Sequence, residues 1–375
     1  MAGKKTEFLY LNEADMIKAG VLDYKHCVDV LDEMFKLIGQ GDYIMGGPNG
    51  NEHGIKVSFP DHPQFQGMPA NGPDRRFMAM VGYLGGRFHV SGCKWYGSNV
   101  INPSRGLPRS ILMVTLNDPD TCEPIAIMSG NLISGMRTGC VPGVGVKYLA
   151  KQSSEVCTCI GAGPISKACL GGMMAEAKNI KKIAVFDIND VNADKFISFA
   201  KETYKIDVVK CTTMEEAVRM GDIISIATSR LKPVILKNEW LKAGSTLLLT
   251  GACHLDAEYI TSAKIVFDNP KMHKAYMDDA RRSDAGIEAT YNSMMAGDIY
   301  RQIDAGKLPP MDKAIGLGDI ADGKAQGRTN DEERFILQTS GMPSEDLAWG
   351  FEIYSAAKAK GLGKVLEVWD DPYMQ

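Results

Sequence analysis

The sequence predicts an α/β protein, a Rossmann-type parallel-sheet domain joined to a second α/β domain, and three observations predict it. From Glu155 to about Val266, short apolar runs alternate with amphipathic helical stretches, the pattern of parallel strands linked by right-handed crossovers. Within that stretch a glycine turn separates the first strand from the first helix. The preceding part has longer strand runs bounded by turn residues, and 375 residues suffice for two domains.

In chain order, Phe8-Leu9-Tyr10-Leu11 reads as a short strand. A helix follows around Cys27, Val28, Val30, Leu31, Met34 and Phe35, whose apolar positions recur at three and four. Residues 41 to 76 are rich in Gly, Pro, Asn and His and read mostly as loops that cover a site. Strands resume at Phe77 to Val81, Arg87 to Val90 and Ile111 to Leu116, the last followed by the turn Asn117-Asp118-Pro119-Asp120. Residues 131 to 151, NLISGMRTGCVPGVGVKYLAK, have helical periodicity broken by Pro142 and several glycines, as in a connecting helix at a domain junction. The alternating region then runs VCTCI, a Gly turn, a helix to Lys178, KKIAVFD, a helix from Asn192 to Tyr204, DVVK, a helix over Met214 to Met220, DIISIAT, TLLLT and KIVFD. A last helical portion, residues 331 to 361, returns to the first domain. The expected division is 1–137 with 320–375 for one domain and 138–319 for the other.

Composition narrows the function classes. No segment approaches the run of about 20 apolar residues that crosses a bilayer, so a membrane protein is not expected. The first sixteen residues, MAGKKTEFLYLNEADM, have no apolar stretch of the secretory kind, and a cytoplasmic location is expected. Nine cysteines without a C-x-x-C pair sit mostly in apolar runs, which suits reduced, buried thiols. The six histidines have no metal-ligand spacing, and no metal is expected. A net charge of −4 without a long basic tract gives no footprint for nucleic acid.

The strongest chemical signal is Cys159-Ile160-Gly161-Ala162-Gly163-Pro164-Ile165-Ser166, a G-x-G-x-x-S turn after a strand and before a helix. The first Gly makes the turn, the second lets main chain approach a pyrophosphate, and the helix start supplies N–H groups and a positive dipole end. Ser166 replaces the usual third Gly but is small enough for helix to pack on strand. Asp187 stands 21 residues past Ser166, at the end of KKIAVFD, where a carboxylate accepts hydrogen bonds from ribose hydroxyls. It repels a 2′-phosphate, which favours NAD over NADP; the other reading of Asp187 is a cap for the next helix. Outside that domain, Lys94, Arg105 and Arg137 are cations suited to a substrate carboxylate, or else ordinary ion-pair residues. Finally, Asp256 in LLLTGACHLD would stand at the carboxyl side of a strand and accept a proton from a substrate ammonium, or cap AEYITSA.

Taken together these residues resemble the ornithine cyclodeaminase/mu-crystallin family over nearly the whole chain. The matching stretches are GCKWYGSNVINPSRGLP, LNDPDTCEPIAIMSGNLISGMRTG, CIGAGPISKA, ATSRLKPVI, GACHLD and LGDIADGKAQGRTNDEE. The resemblance implies Lys94 and Arg137 as substrate-carboxylate ligands and Asp256 as the catalytic carboxylate. It implies Gly161, Ala162, Gly163, Ser166 and Asp187, with Thr228 and Gly251 in the matching stretches, as the cofactor site. It also implies a homodimer paired through the first domain. One departure stands out: members that cyclise ornithine have a further Arg shortly after a Pro, where this chain reads GGPNGNEHGIKVSFP, with Asn49 or Gly50 near that place. The insertion DHPQFQGMPANGPDRRF reshapes the same side, and KWYGSN and MGGPNGN look closest to a branch labelled as an amine oxidase subunit.

The expected activity is therefore NAD-dependent hydride transfer at the amine-bearing carbon of a small amino acid or amine, as a dehydrogenase or imine reductase. The alternatives are a true ornithine cyclodeaminase, giving proline and ammonia, and a non-catalytic nucleotide-binding accessory subunit of an amine oxidase.

Overall fold

A computed structural model describes residues 4–228 and 234–374. The chain forms two compact units: one takes the chain up to Asp23, then Asp42–Ser134, then everything from Met342, and the other takes Tyr24–Gly41 and Gly135–Gly341. These bounds differ from the expected division in three places, the smallest being residues 135–137, which go with the second unit. The helix Tyr24–Gln40 belongs with the second unit. The return comes at Met342 rather than 320, because Phe335–Gln338 is a strand of the parallel sheet instead of the start of a long helix.

The first unit is built on an eight-stranded mixed sheet. Its strands lie in the order Lys364–Trp369, Thr6–Leu11, Pro124–Ser129, Ser110–Asn117, Val90–Ser98, Arg76–Leu84 and Tyr43–Met45, with Ile55–Ser58 also on Arg76–Leu84. Every pairing is antiparallel except Thr6–Leu11 with Pro124–Ser129. Alternation sorts the side chains: Met80, Leu84, Val90, Lys94, Val114 and Leu116 are buried on the face where Pro343–Ala359 packs. Phe77, Val81, Trp95, Ile111 and Met113 stand exposed on the other. Two of the strands, Tyr43–Met45 and Ile55–Ser58, fall in the stretch read as loops. They are three and four residues long and too short to show a period. Arg87 to His89 is a turn, with His89 at φ +35°, and the strand begins only at Val90.

The second unit holds eight parallel strands in the order Asp207–Lys210, Lys182–Phe186, Val156–Ile160, Ile223–Ile226, Thr246–Leu249, Phe335–Gln338, Lys264–Phe267 and Ile315–Gly316. Connections from Val156–Ile160 run outward on one side and from Ile223–Ile226 on the other, so the sheet reverses direction between these neighbours. That reversal is where open α/β sheets take ligands, beyond the carboxyl ends of the strands. A separate two-stranded ribbon pairs Val234–Leu236 with Cys253–Leu255.

The junction helix is continuous over Gly130–Leu149 despite Pro142. Its glycines serve packing. A methyl at Gly139 would lie 2.3 Å from the main chain of Ala168, one at Gly143 would lie 2.5 Å from the carbonyl of Gly172, and one at Gly172 would lie 2.5 Å from that of Gly139. The helix Pro164–Glu176 therefore touches the junction helix main chain to main chain, a distance that only glycine permits.

Candidate active site

The glycine turn is shaped as its spacing predicts. Gly161 has φ +94°, and a Cβ there would sit 2.7 Å from the carbonyl oxygen of Ala227, so both conformation and space require glycine. At Gly163 the same test finds no atom within 4 Å, and Gly163 is the N-cap of Pro164–Glu176 without a side-chain cap bond. The start of a thirteen-residue helix thus faces open space at the carboxyl edge, a cradle that fits a pyrophosphate. Ser166 is fully buried, and its hydroxyl donates to the Gly161 carbonyl at 2.6 Å. It ties the turn to the first helical turn rather than pointing outward.

Asp187 closes the turn from the neighbouring strand. Its Oδ2 accepts from the Ala162 N–H at 2.6 Å and its Oδ1 from the Asn189 N–H at 2.7 Å. The cap of the following helix is Asn189, which accepts from the Asn192 N–H at 3.2 Å, so Asp187 does not cap. On the other side of the reversal a Cβ at Gly251 would meet the main-chain N of Thr228 at 2.6 Å, and the Thr228 hydroxyl donates to the Ala252 carbonyl at 3.2 Å. Gly161, Ala162, Gly163, Asp187, Thr228 and Gly251 are therefore one locality. Of ATSRLKPVI, residues 229–233 lie outside the described residues.

Lys94 lies in the first unit, on the inner face of the sheet, and is buried. Its ammonium donates to the Asp346 carboxylate at 2.7 Å and to the Ser134 hydroxyl at 3.4 Å. Arg105, by contrast, is exposed on the turn Asn102–Arg105. Arg137 belongs to the second unit, on the junction helix, and is also buried. A Cβ at Gly341 would stand 2.5 Å from its Nη1, and Gly341 has φ +80°, so the turn after Phe335–Gln338 needs glycine to pass the guanidinium.

That turn is fixed by residues the sequence reading did not single out. The fully buried Asp268 accepts from the Ser340 N–H at 2.6 Å and the Gly341 N–H at 3.0 Å. Its other oxygen bonds His273 Nε2 at 2.8 Å, and His273 Nδ1 bonds the Tyr300 hydroxyl at 2.6 Å. Burial pushes the Asp268 carboxyl up, but the bond and charge of His273 and the two N–H groups outweigh it and hold the carboxyl below the usual carboxylate range. The carboxylate that ends KIVFD was visible in sequence, but its partners at 273, 340 and 341 were not. Asp346 was likewise invisible as a partner for Lys94, 252 residues away.

Asp256 follows the ribbon strand Cys253–Leu255, not a strand of the main sheet. It is exposed and heads the short helix Ala257–Ser262 without capping it; its Oδ2 accepts from the Asn238 N–H at 2.7 Å. Two residues earlier, His254 Nδ1 bonds Asp298 Oδ2 at 3.0 Å.

Among the described residues no group of His, Cys, Asp and Glu could hold a metal, and no helix is long and apolar enough to cross a membrane. The sequence is similar to N-((2S)-2-amino-2-carboxyethyl)-L-glutamate dehydrogenase of Staphylococcus aureus, 28% identical over 367 residues, spanning 97% of this chain and 99% of that protein. It is also similar to an alanine dehydrogenase of Archaeoglobus fulgidus, 29% identical over 294 residues, spanning 77% and 83%. The structure is similar to that of Thermococcus litoralis Delta(1)-pyrroline-2-carboxylate reductase in complex with NADH and L-proline. The TM-score is 0.77 at 25% identity, covering 95% of this chain and 99% of that one. A model of the ornithine cyclodeaminase/mu-crystallin family matches residues 21–361, and the chain belongs to that family.

Proposed function

We propose that this chain is an NAD-dependent oxidoreductase acting at the amine-bearing carbon of a small amino acid. The observation that carries this reading is the open cradle at Gly163, closed on one side by the Asp187 carboxylate, in a chain whose relatives are dehydrogenases and reductases of amino and imino acids. NAD, when bound, supplies the acceptor or donor of hydride. The chain's own groups do the rest. Gly161, Ala162 and Gly163 admit the pyrophosphate, and Ser166 holds their turn in shape. Asp187 takes the ribose hydroxyls and opposes a 2′-phosphate, while Thr228 and Gly251 form the opposite wall.

Lys94 and Arg137 are the proposed ligands of the substrate carboxylate, each already oriented, the first by Asp346 and the second beside the Gly341 turn. The proton leaving the substrate ammonium is taken up on the segment after Thr246–Leu249, where Asp256 supplies a carboxylate and His254 an imidazole. The exposed apolar face of Phe77, Val81, Trp95, Ile111 and Met113, with Phe77 stacked on Trp95 at 5.7 Å, supports pairing of two copies through the first unit. In this reading the working form is a cytoplasmic homodimer.

The test is incubation of purified protein with NAD and alanine, ornithine, lysine and simple amines, following nicotinamide absorbance and ammonia. NADH and ammonia together are expected. Ammonia without net NADH would mean cyclodeamination, and no reaction together with no NADH binding would overturn the reading.

A further inference from the structure

The segment beyond Gly251 carries two groups able to move a proton, and their surroundings differ. The Asp256 carboxylate is exposed and already accepts a main-chain N–H. That bond commits one of its two oxygens to Asn238. His254 is held in another way. Asp298 Oδ2 accepts both from the imidazole, at 3.0 Å, and from the Leu255 N–H, at 3.1 Å, while Oδ1 accepts from Arg301 Nη1 at 2.8 Å. Arg301 is itself fixed by Glu288 at 2.9 Å and Asn292 at 2.6 Å. A carboxylate is acceptor only, so Nδ1 must be the donor and the neutral ring has its lone pair on Nε2. Nε2 makes no hydrogen bond among the described residues, and the side chain is 43% exposed. Ile235 stands opposite it in the ribbon, and it follows the buried Cys253, whose thiol burial and Asp298 push up. His254 lies two residues past Ala252, whose carbonyl bonds Thr228, hence about 7 Å along an extended strand from the wall of the cofactor locality.

We propose that His254, oriented by Asp298, exchanges the proton of the substrate amine; this rests on the NAD-dependent reading above. Nε2 takes one proton from the ammonium, leaving the free amine and an imidazolium. The nitrogen lone pair then forms the C=N bond as the C–H electron pair departs as hydride to NAD, giving an iminium and NADH. Run backwards, the imidazolium returns the proton to the amine that hydride addition creates. His254 is the catalytic residue and Asp298 a positioning residue.

The experiment compares wild type, His254→Ala, Asp298→Asn and Asp256→Asn by three readouts: NADH binding by fluorescence, imidazole ¹⁵N spectra, and turnover on the amino acid from the panel that wild type oxidises fastest. The expected ¹⁵N spectrum shows His254 protonated at Nδ1 and bare at Nε2, and Asp298→Asn mixes the two forms. His254→Ala is expected to bind NADH as wild type does and lose turnover about 100-fold or more. Added imidazole restores part of that turnover. A bare Nδ1 in wild type, or His254→Ala turnover within about threefold of wild type with NADH still bound, overturns the dyad while leaving the NAD reading intact. Wild type that binds no NADH overturns both.

Discussion

The glycine turn and the buried Lys94 contact are built by opposite strategies. The turn is local: Gly161, Gly163 and Ser166 lie within one strand-turn-helix, and Asp187 arrives at the end of the next strand. The Lys94 contact joins the middle of one strand to a helix residue 252 positions later. The first is held by hydrogen bonds and glycine geometry in contact with solvent, the second by a buried ion pair. Damage on the open side of the turn should therefore appear mainly in ligand affinity, and damage to the Lys94 contact mainly in stability.

The largest expected effect sharpens that contrast. Asp346→Ala leaves a buried ammonium without its carboxylate and should cost about 3 to 5 kcal/mol in urea unfolding, with much of the loss recovered when Lys94 is also changed to Met. An Asp346→Ala protein as stable as wild type would remove the contrast. Asp268→Asn is next, at about 2 to 3 kcal/mol, because the buried carboxylate accepts charge-assisted bonds. Its folded carboxyl is held below its unfolded value, so its contribution is complete above the ordinary carboxylate range near pH 4 and is lost as pH falls below it. Wild type should lose stability on acidification in that window more steeply than Asp268→Asn does.

On the turn, Gly163→Ala meets no protein atom and should leave the melting temperature unchanged while weakening NADH about tenfold, or ~1.4 kcal/mol. Gly161→Ala, on the inner side of the same turn, should weaken NADH and also lower the melting temperature, since its Cβ would strike Ala227. Equal effects of the two on stability would break the distinction. The smallest effect on stability is expected for Asp256→Asn, whose amide oxygen still accepts from the Asn238 N–H, so the melting temperature should stay that of wild type.

Legibility in the sequence follows the same divide. The strand Asp207–Lys210 and the helix Met214–Met220 stand where the apolar alternation places them, and the turn residues meet as their spacing implies. Phe335–Gln338 reads as helix in sequence because three apolar residues and a glutamine carry no period that separates a buried strand from one face of a helix. Only the slot between Thr246–Leu249 and Lys264–Phe267, which those strands leave in the sheet, makes it a strand. The bonds from Lys94 to Asp346 and from Asp268 to Ser340 join residues that no local pattern links. The tie between His254 and Asp298 was hidden for the same reason, the two being 44 positions apart.

The glycine-lined crossing of Gly130–Leu149 over Pro164–Glu176 has a mechanical consequence. One of these helices carries Arg137 and the other begins at Gly163, and with hydrogens alone between their backbones they cannot slide or rotate independently. The guanidinium and the open helix start at Gly163 are thus parts of a single rigid piece. A bulkier side chain at 139, 143 or 172 would shift one against the other, altering the aim of the cation and the opening of the cradle together.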